Sequence, residues 1–282
     1  MLIGPVFYIL GLIALVMVFI AAGKYLRNAR RQRLMKQPFP REWEEILRKN
    51  VALYKYLPGK FREPLHGYIN VFLNEKKFEG CGGLQLTDVI KVTIAAQACL
   101  LLLKGNPTFY PRLKSILVYP GAYVAKQTSF IGSIPVQMDS ARLGESWTRG
   151  DLVLAWDHVK QESVDIGYGH NVVLHEFSHQ LDQEDGSADG APILDQVSSY
   201  VAWARILGRE YGELVDMKKK HHKDVIDAYG ATNPAEFFAV ITEAFFTKSA
   251  KLHKKHPELY EELKLYYKMD PLKWVSQSDL QP

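Results

Sequence analysis

Charged side chains are missing from Met1 to Ala22 of this 282-residue chain, and cysteine is nearly missing from the whole of it. Cys81 and Cys99 are the only two, which excludes a disulfide framework and any cysteine-rich zinc module and fits a reducing compartment. Surplus charge is scarce as well. The formal net charge is +4, and six basic residues, Lys24, Arg27, Arg30, Arg31, Arg33 and Lys36, stand together with no acidic residue between them. Taking those six from +4 leaves −2, so the pI offers no argument for nucleic-acid binding. Internal repeats and low-complexity segments are absent too, and 47% apolar with 23% charged residues excludes disorder.

What the N-terminus does contain is one long apolar run, from Leu2 through Leu10, Ile13 and Val16 to Ile20. About twenty such residues in a helix cover the ~30 Å hydrocarbon core of a bilayer. The basic cluster follows at once. Positive charge is retained on the cytoplasmic side, so a single-pass membrane protein is expected, its short N-terminus outward and its body in the cytoplasm. A cleaved secretory signal would carry its positive charge before a shorter apolar core and would end in a small-x-small site. Residues 1–23 therefore read as an anchor, 24–38 as a basic juxtamembrane linker, and 39–275 as one folded domain.

Beyond Pro38 and Pro40 the periodicity is helical. Glu42 to Leu57 is amphipathic, Leu65 to Leu73 is a second helix, and Asp88 to Leu103 is a buried one with Cys99 on its apolar side. The period then changes. Ser115–Tyr119 and Leu152–Trp156 are short β-rich runs, and the second is expected either as a purely structural strand or as a sheet edge available to an extended peptide. After Gly169 the pattern returns to helices. The fold class is α+β, a small sheet within a predominantly helical chain.

His175-Glu176-Phe177-Ser178-His179 carries the chemistry. Positions i and i+4 share one helical face, so both imidazoles reach one metal ion, while Glu176 stands beside them to take a proton. Val172, Val173, Leu174, Phe177 and Leu181 make the helix a buried one, where ionisable groups need a partner. A catalytic zinc takes three protein ligands and leaves one position for water. Asn233 suits an N-cap and Pro234 the first helical position of the segment that continues to Glu243. Glu236, three residues after the cap, is either the third ligand or the acid of a capping box. Glu243, seven residues on and on nearly the same face, is its rival or an outer partner; spacing leaves both open.

Asn171 to Asp182, Asp227-Ala228-Tyr229 and Asn233 to Val240 together resemble the MtfA (Mlc titration factor A) zinc peptidases, as do Phe39 to Trp43, Gly144 to Trp147 and Leu154 to Trp156. The resemblance implies a zincin-like core with one Zn²⁺ held by His175, His179 and Glu236. It implies Glu176 as general base and Tyr229 as hydroxyl donor to the reacting carbonyl. It implies a peptide or protein substrate, aminopeptidase activity and, for the enterobacterial member, binding of a glucose-responsive transcriptional repressor. The N-terminal anchor departs from the better-known members. The alternative reading is a regulator-binding protein whose zinc is mainly structural; an intact Glu176 favours the enzyme. Of the other residues, His170 is expected as a helix-start residue off the ligand face, and His221 and His222 as a solvated turn. Asp182 is expected either to orient a ligand imidazole or to lie at the helix surface.

Overall fold

The computed structural model describes residues 3–274 apart from 106, 122, 132–133, 143 and 147–149; Met1, Leu2, Trp147 and Val275 lie outside the described residues. The chain starts with one unbroken helix, α1 (Ile3–Met35), which does not stop where the apolar run meets the basic cluster. An 18-residue window within Leu10–Met35 has a mean hydropathy of 1.8, and none of it is buried by the rest of the protein. By length and composition α1 can cross a membrane.

The expected Glu42–Leu57 helix is two, α2 (Arg41–Asn50) and α3 (Ala52–Tyr56), because Val51 between them is extended at φ −121°, ψ 96°. Next comes α4 (Gly59–Glu75), which lies across the end of α1. Gly67 makes the crossing close: a Cβ there would meet the Met35 carbonyl oxygen at 3.0 Å. Then follow the short strand β1 (Lys77–Gly80) and the buried helix α5 (Asp88–Leu100), capped by the Thr87 hydroxyl. Cys99 is wholly enclosed in the core, and burial pushes its thiol pKa well up.

The sheet is built from β1, β2 (Ser115–Tyr119), β5 (Gly144–Ser146) and β6 (Asp151–Ala155) in the order β1-β2-β6-β5. β1, β2 and β6 run parallel and start side by side, with Lys77 opposite Ser115 and Ser115 opposite Asp151; β5 runs antiparallel. A separate antiparallel hairpin, β3 (Tyr123–Ile131) with β4 (Ile134–Arg142), is inserted between β2 and β5. The strand expected at Leu152–Trp156 is therefore no edge. It has neighbours on both sides, and Trp156 opens the next helix, α6 (Trp156–Val164). The edges are β1 and β5, and β5 packs against α7 (Val172–Asp182), the helix bearing the two histidines.

Helix α7 is held from below by its apolar stripe. Leu174, Phe177 and Leu181 are each at most 2% exposed, and the Phe177 ring meets Tyr110 at 4.9 Å and Phe72 at 5.7 Å between centroids. Each such side chain contributes about 1.5–3 kcal/mol, which offsets part of the cost of burying polar groups on the facing side. The remaining helices, α8 (Ser199–Lys219), α9 (Pro234–Thr247), α10 (Ser249–Lys255) and α11 (Pro257–Tyr267), complete the body, with α9 crossing α7.

Candidate metal centre

Asn171 opens α7 with extended backbone, and its Oδ1 accepts the Leu174 N–H at 2.9 Å. Two carboxylates take the next free amides: Glu243 Oε2 accepts the Asn171 N–H and Glu162 Oε2 the Val172 N–H, each at 2.6 Å. Negative charge at a helix N-terminus also complements the macrodipole. Asn171 Nδ2 donates to Gln97 Oε1 at 2.6 Å, and Gln97 Nε2 donates to the Ser163 hydroxyl oxygen at 2.8 Å. The start of the helix is thus fixed by buried polar groups from α5, α6 and α9. Gln97 and Glu162 escaped the sequence reading. A lone glutamine among Ile94, Ala95, Ala96 and Ala98 was the available signal for the first; the second had none.

One turn in, His175 and His179 converge on Glu236. The Oε2 of Glu236 lies 3.0 Å from His175 Nε2 and 3.4 Å from His179 Nε2, and the two Nε2 atoms are 3.2 Å apart. Among the described residues these three form the group able to hold a metal ion, and their side chains are only 12–18% exposed. The Asn233 side chain does cap α9, accepting the Glu236 N–H at 2.9 Å. The Glu236 carboxylate, however, turns to the histidines.

Glu243 is not in that group. Its Oε1 lies 2.8 Å from His175 Nδ1, the far side of the same ring. A carboxylate can only accept, so Glu243 holds a proton on Nδ1 and leaves Nε2, whose own proton faces Glu236, as the ring atom that a metal ion would take in that proton's place. Burial by itself would lower the His175 pKa, but Glu236 and Glu243 outweigh it and raise it to about 10. Burial would likewise raise the Glu236 pKa, yet hydrogen bonds from the two imidazoles hold its carboxylate well below the usual range.

The other expected residues fall around the cluster. Glu176 is 6% exposed, and its charge reaches His175. Tyr229, in a short 3-10 turn ordered by the Asp227 carboxylate on its N–H at 2.8 Å, is 54% exposed, with its ring 6.1 Å from that of His175. His170 stands between Glu243 at 3.9 Å and Asp227 at 3.7 Å, off the metal group. His221 and His222 are exposed at the end of α8. Asp182 is buried, and burial raises its pKa to about 6; its Oδ2 accepts the Gly190 N–H at 3.0 Å, tying down the loop after α7. Gly190 has φ +79°, and a Cβ there would stand 2.4 Å from the Pro234 carbonyl oxygen. The loop leaving α7 is thereby pressed onto the start of α9, where Glu236 is.

Comparison with known proteins places the chain among metallo-peptidase relatives. A family model described as glucose-regulated metallo-peptidase M90 matches residues 26–268. An uncharacterized protein of Synechocystis is 40% identical over 270 residues, covering 95% of this chain and 98% of that one. The Mlc titration factor A of Klebsiella pneumoniae is 32% identical over 245 residues, covering 85% and 90%. The same-named protein of Serratia proteamaculans is 32% identical over 240 residues, covering 82% and 88%.

Proposed function

The chain belongs to the glucose-regulated metallo-peptidase M90 family, and from that premise we propose that it is a single-zinc peptidase with Glu176 as general base. One observation carries the choice of metal. A tetrahedral zinc with bonds of about 2.0–2.1 Å holds its ligand atoms roughly 3.3–3.4 Å apart, and the three donor atoms of His175, His179 and Glu236 are 3.0–3.4 Å from one another. Two imidazoles and one carboxylate are also a donor set suited to zinc hydrolysis. When bound, the ion supplies Lewis acidity, making a water acidic near neutral pH and polarising a peptide carbonyl.

The remaining work falls to the chain. Glu176 takes the proton of the attacking water on its carboxylate and returns it to the nitrogen of the leaving amine. The Tyr229 hydroxyl donates to the oxygen that gains charge, from an exposed position beside His175 that substrate would cover. Glu243 keeps the His175 proton on Nδ1, and the Asn171, Gln97 and Glu162 network keeps the helix from shifting under load. The proposed substrate is a peptide or protein, with an aminopeptidase preference, and α1 crosses the bacterial inner membrane with residues 39–275 as a peptidase domain in the cytoplasm. Lys24 to Lys36 directly after the apolar run support that orientation.

Metal analysis of the purified chain beside cleavage of a peptide library tests the reading. One zinc per chain is expected, lost in Glu236→Ala. In Glu176→Gln zinc should stay while cleavage falls about 10²–10⁴-fold, as for other general bases. A Glu176→Gln protein that cleaves normally at full zinc content overturns the mechanism. The relatives' name, Mlc titration factor A, supports a second reading, in which the chain binds a transcriptional regulator. Capture of a regulator by Glu176→Gln, with no cleavage by the unaltered chain, would establish it.

A further inference from the structure

The basic segment after the apolar run splits into two sets with different tasks. Arg31 is only 15% exposed and grips Glu75 with two parallel hydrogen bonds of 2.8 Å. Its guanidinium also lies 4.7 Å over the Phe109 ring and donates to the Thr108 carbonyl at 3.3 Å. Arg30 donates to Asn74 at 2.8 Å. Asn70 Nδ2 donates to the carbonyls of Leu34 and Gln37 at 3.4 and 3.1 Å, satisfying the end of α1. These contacts pair rising numbers on α1 with falling numbers on α4, so the two helices are antiparallel. The helix that enters the membrane is thus clamped to the folded body as one rigid piece.

That clamp decides which side of the body faces the bilayer. Arg31 lies eight residues past Gly23, about 12 Å along a helix, and the headgroup layer is roughly 5–7 Å deep. Elements joined to Arg31 therefore stand within a side chain's reach of the lipid. They are the C-terminal end of α4, the loop through Thr108 and, beside them, the N-terminal ends of the parallel strands: the Lys77 N–H donates to the Lys114 carbonyl at 3.0 Å. The loop after the metal helix joins the same layer, since Thr108 donates to Glu184 and the Arg112 guanidinium lies against Gly186. Exposed cations collect here from separate segments: Lys24 and Arg27 on α1, Arg112 and Lys114 before β2, and Lys77, which is shared with Glu79 at 2.6 Å.

Resting on the reading that α1 crosses a membrane, we propose that this face, with Arg27, Arg112 and Lys114 at its centre, packs against anionic phospholipid headgroups and holds the peptidase body in one orientation on the membrane surface. Each basic side chain at such a surface favours contact by roughly fivefold, an effect that salt weakens.

The test uses the full chain reconstituted in vesicles, with Cys81→Ser as background because the buried Cys99 does not label. A fluorophore is placed at Pro111→Cys on this face or at Lys60→Cys near the far end of α4, fifteen residues and about 22 Å from Glu75. Vesicles carry a headgroup-attached quencher in either phosphatidylglycerol or phosphatidylcholine. Quenching at 111 should exceed that at 60 at least threefold in phosphatidylglycerol. It should fall markedly in phosphatidylcholine, in 0.5 M salt, or when Arg27, Arg112 and Lys114 are replaced by Gln. Equal quenching at the two sites, or quenching at 111 indifferent to lipid charge, overturns the proposal while the anchor stands. A chain that fails to float with the vesicles overturns the anchor and the proposal together.

Discussion

Replacing Glu243 by Gln keeps the side chain's shape and removes the one property the site requires, that both oxygens accept. In the protein Oε1 faces His175 Nδ1 at 2.8 Å and Oε2 faces the Asn171 N–H at 2.6 Å. A glutamine has one acceptor and one donor, so it can be seated in two ways. With its oxygen on Asn171, the amide N–H meets Nδ1 and forces the imidazole proton onto Nε2, where it blocks the metal. With its oxygen on Nδ1, two N–H groups face each other at the buried start of α7. The first seat pairs every group but protonates the metal-binding atom; the second, the one a bound metal requires, leaves two buried N–H groups opposed, at a cost of about 1–3 kcal/mol. If that cost falls on the metal-competent state, zinc affinity drops by roughly 5- to 150-fold, overlapping the 10- to 100-fold typical of such outer carboxylates. The assay is zinc competition against a chromophoric chelator, with circular dichroism confirming the fold. Glu236→Ala should lose far more affinity, because it removes a donor atom. Affinity within twofold of the unaltered chain in Glu243→Gln would refute the argument, as would a site that Glu243→Ala empties and Glu236→Ala does not.

Tyr229→Phe should lower turnover by less than Glu176→Gln does, with metal content unchanged, in steady-state kinetics on one peptide. Gly190→Ala should lose both stability and zinc: φ +79° costs about 1–2 kcal/mol for a residue with a Cβ, and the Pro234 carbonyl in its way displaces the turn that carries Glu236; thermal melts and metal content read this out. His256 lies between Glu210 at 2.7 Å and Asp224 at 2.8 Å, and His256→Ala should cost about 2–3 kcal/mol, short of the ~3–5 for breaking a buried pair, because Arg209 and Lys255 still hold the carboxylates. Burial would lower the His256 pKa, but the two carboxylates raise it. Its contribution is therefore complete below its unfolded value of about 6.5 and is lost as pH rises through the folded one, so the melting-temperature gap between the two proteins should narrow in alkali. Protease added outside intact cells should leave the body undigested, and digestion would reverse the orientation.

Where a feature depended on neighbours in the chain, it could be read from the chain. The His175–His179 spacing, the Asn233 cap and its proline, and the strand at Ser115–Tyr119 all appear as expected, because helical and strand periods are local. Short elements without a clear period went unread: β1, β5 and the extended Val51 that divides Glu42–Leu57 are set by what packs on them. Spacing favours Glu236 over Glu243 only narrowly, since seven residues return nearly to the same helical face. Tertiary structure settled the contacts by crossing α9 over α7, so that one carboxylate meets His175 Nε2 and the other, two turns deeper, meets Nδ1. The basic cluster divides for the same reason. Composition made six like charges after an apolar run; only the approach of α4, sealed at Gly67, separates Arg30 and Arg31, bound to the body, from Lys24 and Arg27, which stay exposed. A sequence fixes which side chains share a face, but which atom of one ring meets which carboxylate sixty residues away depends on how two packed helices cross.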